Sequence, residues 1–195
     1  MRQLLSILTL LTMVGCNKDF DNSTKVNEIK LPGYSESGNT TFGFLLNDSV
    51  WTNYGHYYRD NGVIPGWREN KIINTYNFAG TPGERALQVT GRLTIVKNNV
   101  ATKDISAGFS FVPVPPFINT YLLNGVYPRD FNVNDNVQRR FYRIKSTNPF
   151  VLQVTKFDTL GQVCSGRFNG ILFNDENLTD SIIIKDGRFD VKLSY

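Results

Sequence analysis

Cysteine and histidine are nearly missing: the 195 residues hold two Cys and one His. A disulfide scaffold is therefore excluded, and little material remains for a zinc site. Charged residues make up only 19%, and the formal net charge of +4 is spread along the chain. Such a distribution makes no basic face of the kind nucleic acid selects, so no nucleic-acid partner is expected. Long apolar runs are also scarce. The unbroken stretch Leu4–Val14 is eleven residues, whereas a membrane-spanning helix needs ~20. Beyond that stretch no window has a convincing helical period, and no βαβ rhythm is visible. What is present is 41% apolar and 13% aromatic content, with 16 Gly and 8 Pro. This balance excludes a disordered chain and a collagen, and the length suits one domain with a real core.

The start of the chain reads as an address. Arg2 supplies a positive n-region, and Leu4–Val14 has the length of a secretory h-region. Met13-Val14-Gly15-Cys16 resembles the lipobox of bacterial lipoproteins. The resemblance implies cleavage before Cys16, diacylglycerol on its sulfur and a third, palmitate-type acyl chain on its amine. Two or three acyl chains make release from a bilayer negligible. Asn17 stands where an Asp commonly retains lipoproteins in the inner membrane, and Asn17–Asp21 is similar to the charged segment behind the lipidated Cys of surface-exposed Bacteroidota lipoproteins. The expected location is therefore the cell outer membrane, on its periplasmic or its outer side. Residues 16–37, polar and broken by Pro32-Gly33, are expected to form a flexible tether. Residues 38–195 are expected to form a single domain.

That domain reads as strands and turns. Thr41–Leu46 and Ser49–Trp51 flank Asn47-Asp48, a two-residue turn. Leu87, Val89, Leu93 and Ile95 alternate with polar residues, as do Ile105, Ala107, Phe109 and Phe111. At the C-terminus, Ile182–Lys185 and Arg188–Leu193 are expected to form a hairpin across Asp186-Gly187, with Ile182, Ile184, Phe189 and Val191 on one face. Further strands are expected over 54–59, 71–78, 117–123, 139–145, 150–157 and 162–173. Pro113, Pro115 and Pro116 must leave the sheet, because proline cannot donate to a ladder. About ten strands without a helix predict an all-β antiparallel sandwich or flattened barrel.

Five blocks carry a family resemblance: Gly43–Trp51, Thr120–Gly125, Val154–Asp158, Val163–Phe168 and Asp186–Val191. In this order they resemble an uncharacterised family of Bacteroidota lipoproteins, a domain of unknown function. Asp48 and Cys164 depart from the residues that family prefers. The resemblance implies a β-rich domain on a lipid anchor and supplies no catalytic residues.

Each chemical constellation has a plainer counterpart. His56 shares a strand face with Tyr54 and Tyr58 and reads as structural, since a catalytic base needs an acid or nucleophile in reach. Asp130–Asp135 matches three early positions of a calcium loop, but Asp135 replaces the turn Gly and Phe141 stands where a bidentate Glu is required. It reads as a polar connecting loop, and neither metal nor cofactor is expected. Cys164, alternating with Gly166, Phe168, Gly170 and Leu172, is expected to be buried and inert; the glycines suggest close backbone approach. Arg139, Arg140 and Arg143 have the chemistry to grip an oxyanion or to protect a strand edge. Trp51, Tyr54, Tyr57, Tyr58 and Trp67 are the candidate ligand-binding residues, as a stacking platform for sugar or protein. Core packing is the commoner use of such rings. Ser49, Thr159 and Ser181, each in an Asp-Ser/Thr-apolar triplet, resemble Bacteroidota O-glycosylation sites.

Two functional classes stay open. One is a membrane-anchored, non-enzymatic binding or envelope-interaction module whose ligand is a glycan, a protein or a small apolar molecule. The other is a carboxylate-dependent hydrolase of the cell envelope using Asp60 and Glu69, or Asp175 and Glu176. Such an enzyme needs two carboxyl groups at fixed separation in a cleft.

Overall fold

Every regular element among the described residues is a β-strand, as the alternating pattern predicts. A computed structural model of the chain describes residues 30–53, 73–78, 85–97 and 100–193. β1 (Thr41–Leu46) and β2 (Ser49–Thr52) form a hairpin. Its turn residues Asn47 and Asp48 both have left-handed φ, 45° and 65°, as a type I′ turn requires. β3 (Ile73–Phe78), β4 (Arg85–Lys97) and β5 (Val100–Phe111) make an antiparallel meander. The proline segment then leaves the sheet as expected, and β6 (Thr120–Leu123) follows it. β7 (Asp130–Asp135) and β8 (Arg140–Arg143) form another hairpin. β9 (Phe150–Asp158), β10 (Val163–Asn174) and β11 (Ser181–Lys192) complete the chain.

All pairings are antiparallel, in the order β2-β1-β11-β10-β8-β7-β5-β4-β3. β10 forks: residues 163–169 pair with β9, which carries β6 on its far side, while Phe173 and Asn174 pair with β8. The sheet curls until β2 meets β4, where a Cβ on Gly91 would stand 3.1 Å from the Trp51 indole. The result is a nearly closed, barrel-like antiparallel sheet, so the all-β expectation holds in its barrel form.

The curl encloses an aromatic core. Phe42 of β1 reaches Phe109 of β5 at 5.8 Å and Phe168 of β10 at 5.5 Å between ring centroids. Phe131 of β7 stacks on Phe150 of β9 at 4.4 Å, and Phe189 of β11 meets Phe109 edge-on at 5.0 Å. Each such pair adds roughly 0.5–1.5 kcal/mol to area burial. The interleaved glycines make room for these rings. A Cβ on Gly170 would stand 2.3 Å from the Phe150 ring, and one on Gly166 would stand 2.2 Å from the Gln153 carbonyl oxygen.

Two expectations about elements are corrected. Asp186-Gly187 does not turn the chain back but lies within β11, which runs continuously from Ser181 to Lys192. A type I′ turn needs two left-handed residues, and of this pair only Asp186 is left-handed, at φ 49°. The extra residue forms a bulge, so the register shifts against β10 between Phe168 and Gly170 and against β1 between Gly43 and Leu45. A bulge and a two-residue turn both change strand parity. Ile182, Ile184, Phe189 and Val191 are therefore all buried, as the hairpin reading also required. Asp130–Asp135 is strand β7, not a loop: Phe131 and Val133 point into the core between four polar residues. The strand expected over 54–59 lies outside the described residues.

Gly187 gives a direct check on this packing. A Cβ there would stand 2.3 Å from the Phe168 ring and 2.5 Å from the Phe168 carbonyl oxygen. The ring can move aside, but the backbone oxygen has no such freedom. Gly187→Ala is expected to lower the unfolding free energy by about 2–3 kcal/mol, read from urea denaturation. An unchanged midpoint would contradict the packing of β10 on β11.

Candidate functional site

The structure moves Trp51 out of the candidate ligand platform. Its side chain is 0% exposed, stacked on Phe44 at 4.6 Å, with its Nε1–H donating to the Ile105 carbonyl at 3.1 Å. An indole buried on both faces and satisfied at its nitrogen cannot stack on a ligand. Tyr54, Tyr57, Tyr58 and Trp67 lie outside the described residues, as do His56, Asp60, Glu69 and Cys16. Ser49, Thr159 and Ser181 are exposed. Cys164 is buried, and burial, then the nearby Asp190 carboxylate, pushes its thiol well above the ordinary range. That keeps it protonated and unreactive. Asp175 and Glu176 are exposed at a turn, where Asp175 is engaged by Arg143 rather than by a second carboxyl group.

The arginines divide into two kinds. Arg143 pairs with Asp175, Arg140 with Asp180 at 3.5 Å and Arg92 with Asp104. The two members of the Arg139–Arg143 cluster that lie in β8 are thus already neutralised. Arg167 of β10 and Arg188 of β11 are different. They stand directly opposite each other across the strand pair, and neither forms an ion pair among the described residues. Like charges in that relation repel. Arg167 lies over the Tyr34 ring, 4.5 Å from its centroid, a favourable cation–π placement. Arg188 donates from Nη1 to the Pro32 carbonyl at 3.0 Å and from Nε to the Asp186 carbonyl at 3.3 Å.

These two side chains line a groove of about 400 Å³ on the outer face of the sheet, shared with Tyr34, Gln153, Asn169 and Asp186. Sheet register assembles it. Gln153 of β9 is opposite Arg167, and Asn169 is opposite Val151, which adds an apolar patch. The bulge at Asp186 breaks the flat surface beside Asn169 and re-aims β11 there. None of these six residues was a site candidate on sequence grounds. The signal for them is their alternation with buried neighbours, Phe168 against Arg167 and Phe189 against Arg188, but only the strand order places them side by side.

One wall of the groove comes from the N-terminal segment, and the tether expected over 16–37 is corrected for residues 30–37 alone, the rest of it lying outside the described residues. Residues 30–37 lie on the domain rather than hanging free of it. Asp190 is the anchor: 1% exposed, it accepts hydrogen bonds from the backbone N–H of Ser37, Gly38 and Asn39 at 3.1, 2.8 and 3.0 Å. It also accepts from the Ser165 hydroxyl at 2.7 Å and from the Ser35 hydroxyl. Burial raises the carboxyl's pKa, but these hydrogen bonds outweigh it and hold the group below its ordinary value. Beside it, the Lys156 ammonium donates to the Glu36 carbonyl at 2.9 Å, and the Tyr34 hydroxyl is shared with Thr155 at 2.6 Å. Pro32 sits on Gly43, where a Cβ would approach its ring to 2.7 Å.

A family model described as a domain of unknown function, DUF5025, matches residues 91–192, just over half of the chain. The chain belongs to the DUF5025 family. The DUF5025 match runs from the middle of β4 to the end of β11 and takes in Gln153, Arg167, Asn169, Asp186 and Arg188. Tyr34 and the segment around it precede the match. No curated protein and no solved structure matches this chain significantly.

Proposed function

We propose that this DUF5025 protein is a lipid-anchored, non-enzymatic binding module of the cell outer membrane that takes its ligand in the Arg167–Arg188 groove. The observation that carries the reading is the pair of unneutralised guanidinium groups set side by side in a concave site. Like charges set opposite each other with no ion pair among the described residues cost stability, and a bound anionic ligand that offsets this cost accounts for their presence. The lipobox-like Cys16 supports the anchor, and the segment leading from it supplies a wall of the groove. Among the described residues the groove holds one carboxylate, Asp186, whereas carboxylate hydrolysis uses two; this favours binding over the hydrolase reading.

The test uses the full chain, expressed with its signal and extracted in detergent. Metabolic labelling with an alkyne fatty acid should mark the protein, and Cys16→Ser should abolish the label. A glycan array and an envelope-protein pull-down, run beside Asn169→Trp, should yield a ligand that the plugged groove loses. A ligand that both forms bind equally would move the site elsewhere on the molecule.

A further inference from the structure

We infer that the ligand of this groove is an acidic saccharide, its carboxylate held between Arg167 and Arg188 and its hydroxyls shared among Gln153, Asn169 and Asp186. The inference rests on the binding reading above and names the class of ligand.

The charge comes first. Arg167 and Arg188 face each other across adjacent strands without an ion pair among the described residues. A guanidinium presents five N–H donors in a planar fork, and Arg188 spends two of them on the Pro32 and Asp186 carbonyls. Donors remain for a planar oxyanion, and bidentate gripping is what the fork does best. Both groups are also held in place beforehand. Tyr34 lies under Arg167, and Pro32 fixes Arg188, which lowers the ordering cost of binding.

The rest of the lining selects among anions. Gln153 and Asn169 each offer a donor and an acceptor, and Asp186 accepts only. That set suits hydroxyl groups, which donate and accept in turn. Inorganic phosphate or sulfate would leave the amides and the Asp186 carboxylate poorly used. Val151 supplies an apolar patch for the C–H face of a sugar ring, and about 400 Å³ accommodates one or two such rings, within the ordinary range of ligand sites.

The linkage to the N-terminal segment follows from the same contacts. Tyr34 and Pro32 belong to the segment that Asp190 holds, so a ligand gripped by Arg167 and Arg188 favours the docked segment, and docking favours the ligand by the same factor.

Isothermal titration of the full chain in detergent tests the class directly. The probes are uronate disaccharides, their methyl esters, inorganic phosphate and free glutamate. The esters keep the shape and lose only the charge. The uronates are expected to bind at least 10-fold more tightly than their esters, and to weaken as salt is raised. Arg167→Gln and Arg188→Gln should each cost at least 10-fold, with both variants still folded at the titration temperature, because neither side chain belongs to the aromatic core. Equal binding of acid and ester overturns the inference, as does phosphate or glutamate binding as tightly as the uronates. The ester comparison needs no variant, so a variant that fails to fold does not spoil the test. Neutral glycans that bind and are lost in Asn169→Trp would overturn the acidic class and leave the binding reading standing. A chain that binds no probe and retains nothing on the array would overturn both.

Discussion

Replacing Trp51 by alanine is expected to lower the unfolding free energy by about 3–5 kcal/mol, the range for deleting a large buried aromatic. The indole is the point where the curled sheet meets itself. It stacks on Phe44 at 4.6 Å, meets Phe42 edge-on at 5.2 Å, and lies 3.1 Å from where a Cβ on Gly91 of β4 would stand. Alanine would remove all three contacts and leave the Ile105 carbonyl without the indole N–H. With a urea slope of about 2 kcal/mol per molar, typical of a domain this size, the midpoint should fall by about 2 M. Ligand affinity, measured where the variant is still folded, should be unchanged, because Trp51 lies inside the barrel and the groove lies outside it. A variant with wild-type stability and lost affinity would return Trp51 to the role of a recognition residue.

Fold class was legible because strand periodicity is local. Leu87 to Ile95 and Ile105 to Phe111 alternate as written, and both segments are strands with those residues facing inward or partly inward. Where local rules compete, reading fails in identifiable ways. Asp186-Gly187 satisfies turn chemistry and bulge chemistry equally, and what decides between them is that both flanks of β11 are covered, by β1 and by β10. Asp130–Asp135 is rich in residues that strands usually avoid, yet Phe131 and Val133 each bury a side chain on the core side, and burial wins over propensity. The groove was least legible. Arg167 and Arg188 are 21 positions apart, and only the antiparallel register of β10 on β11 sets them opposite each other. Tyr34, more than a hundred residues earlier, belongs to a stretch whose polar composition matches that of a tether. Its docking depends on Asp190, at the other end of the chain.

Asp190→Ala is expected to cost about 3 kcal/mol at neutral pH and to release residues 30–39 from the domain. Hydrogen bonds to a charged acceptor contribute roughly 1.5–3 kcal/mol each, but the five made by Asp190 do not add. Once the segment lifts, the N–H groups of Ser37 and Asn39 recover water, and the lasting loss falls on the buried Ser165 hydroxyl and on the packing of Pro32 and Gly38. Asp190→Asn, which keeps one acceptor oxygen, should lose less. The pH dependence has a definite sign. Hydrogen bonds hold the Asp190 carboxyl below its ordinary value in the folded chain, so its contribution is complete above the unfolded value of about 4 and is lost as pH falls through the lower folded value. The stability gap between the wild type and Asp190→Asn should therefore narrow below about pH 4. Protease cleavage within residues 30–37 should speed up in Asp190→Ala at neutral pH and in the wild type only on acidification. The groove should weaken in parallel, since Tyr34 leaves Arg167 and Pro32 leaves Arg188 when the segment departs. A gap independent of pH, or cleavage indifferent to the substitution, would mean that the segment is held by its other contacts and that Asp190 serves the sheet alone.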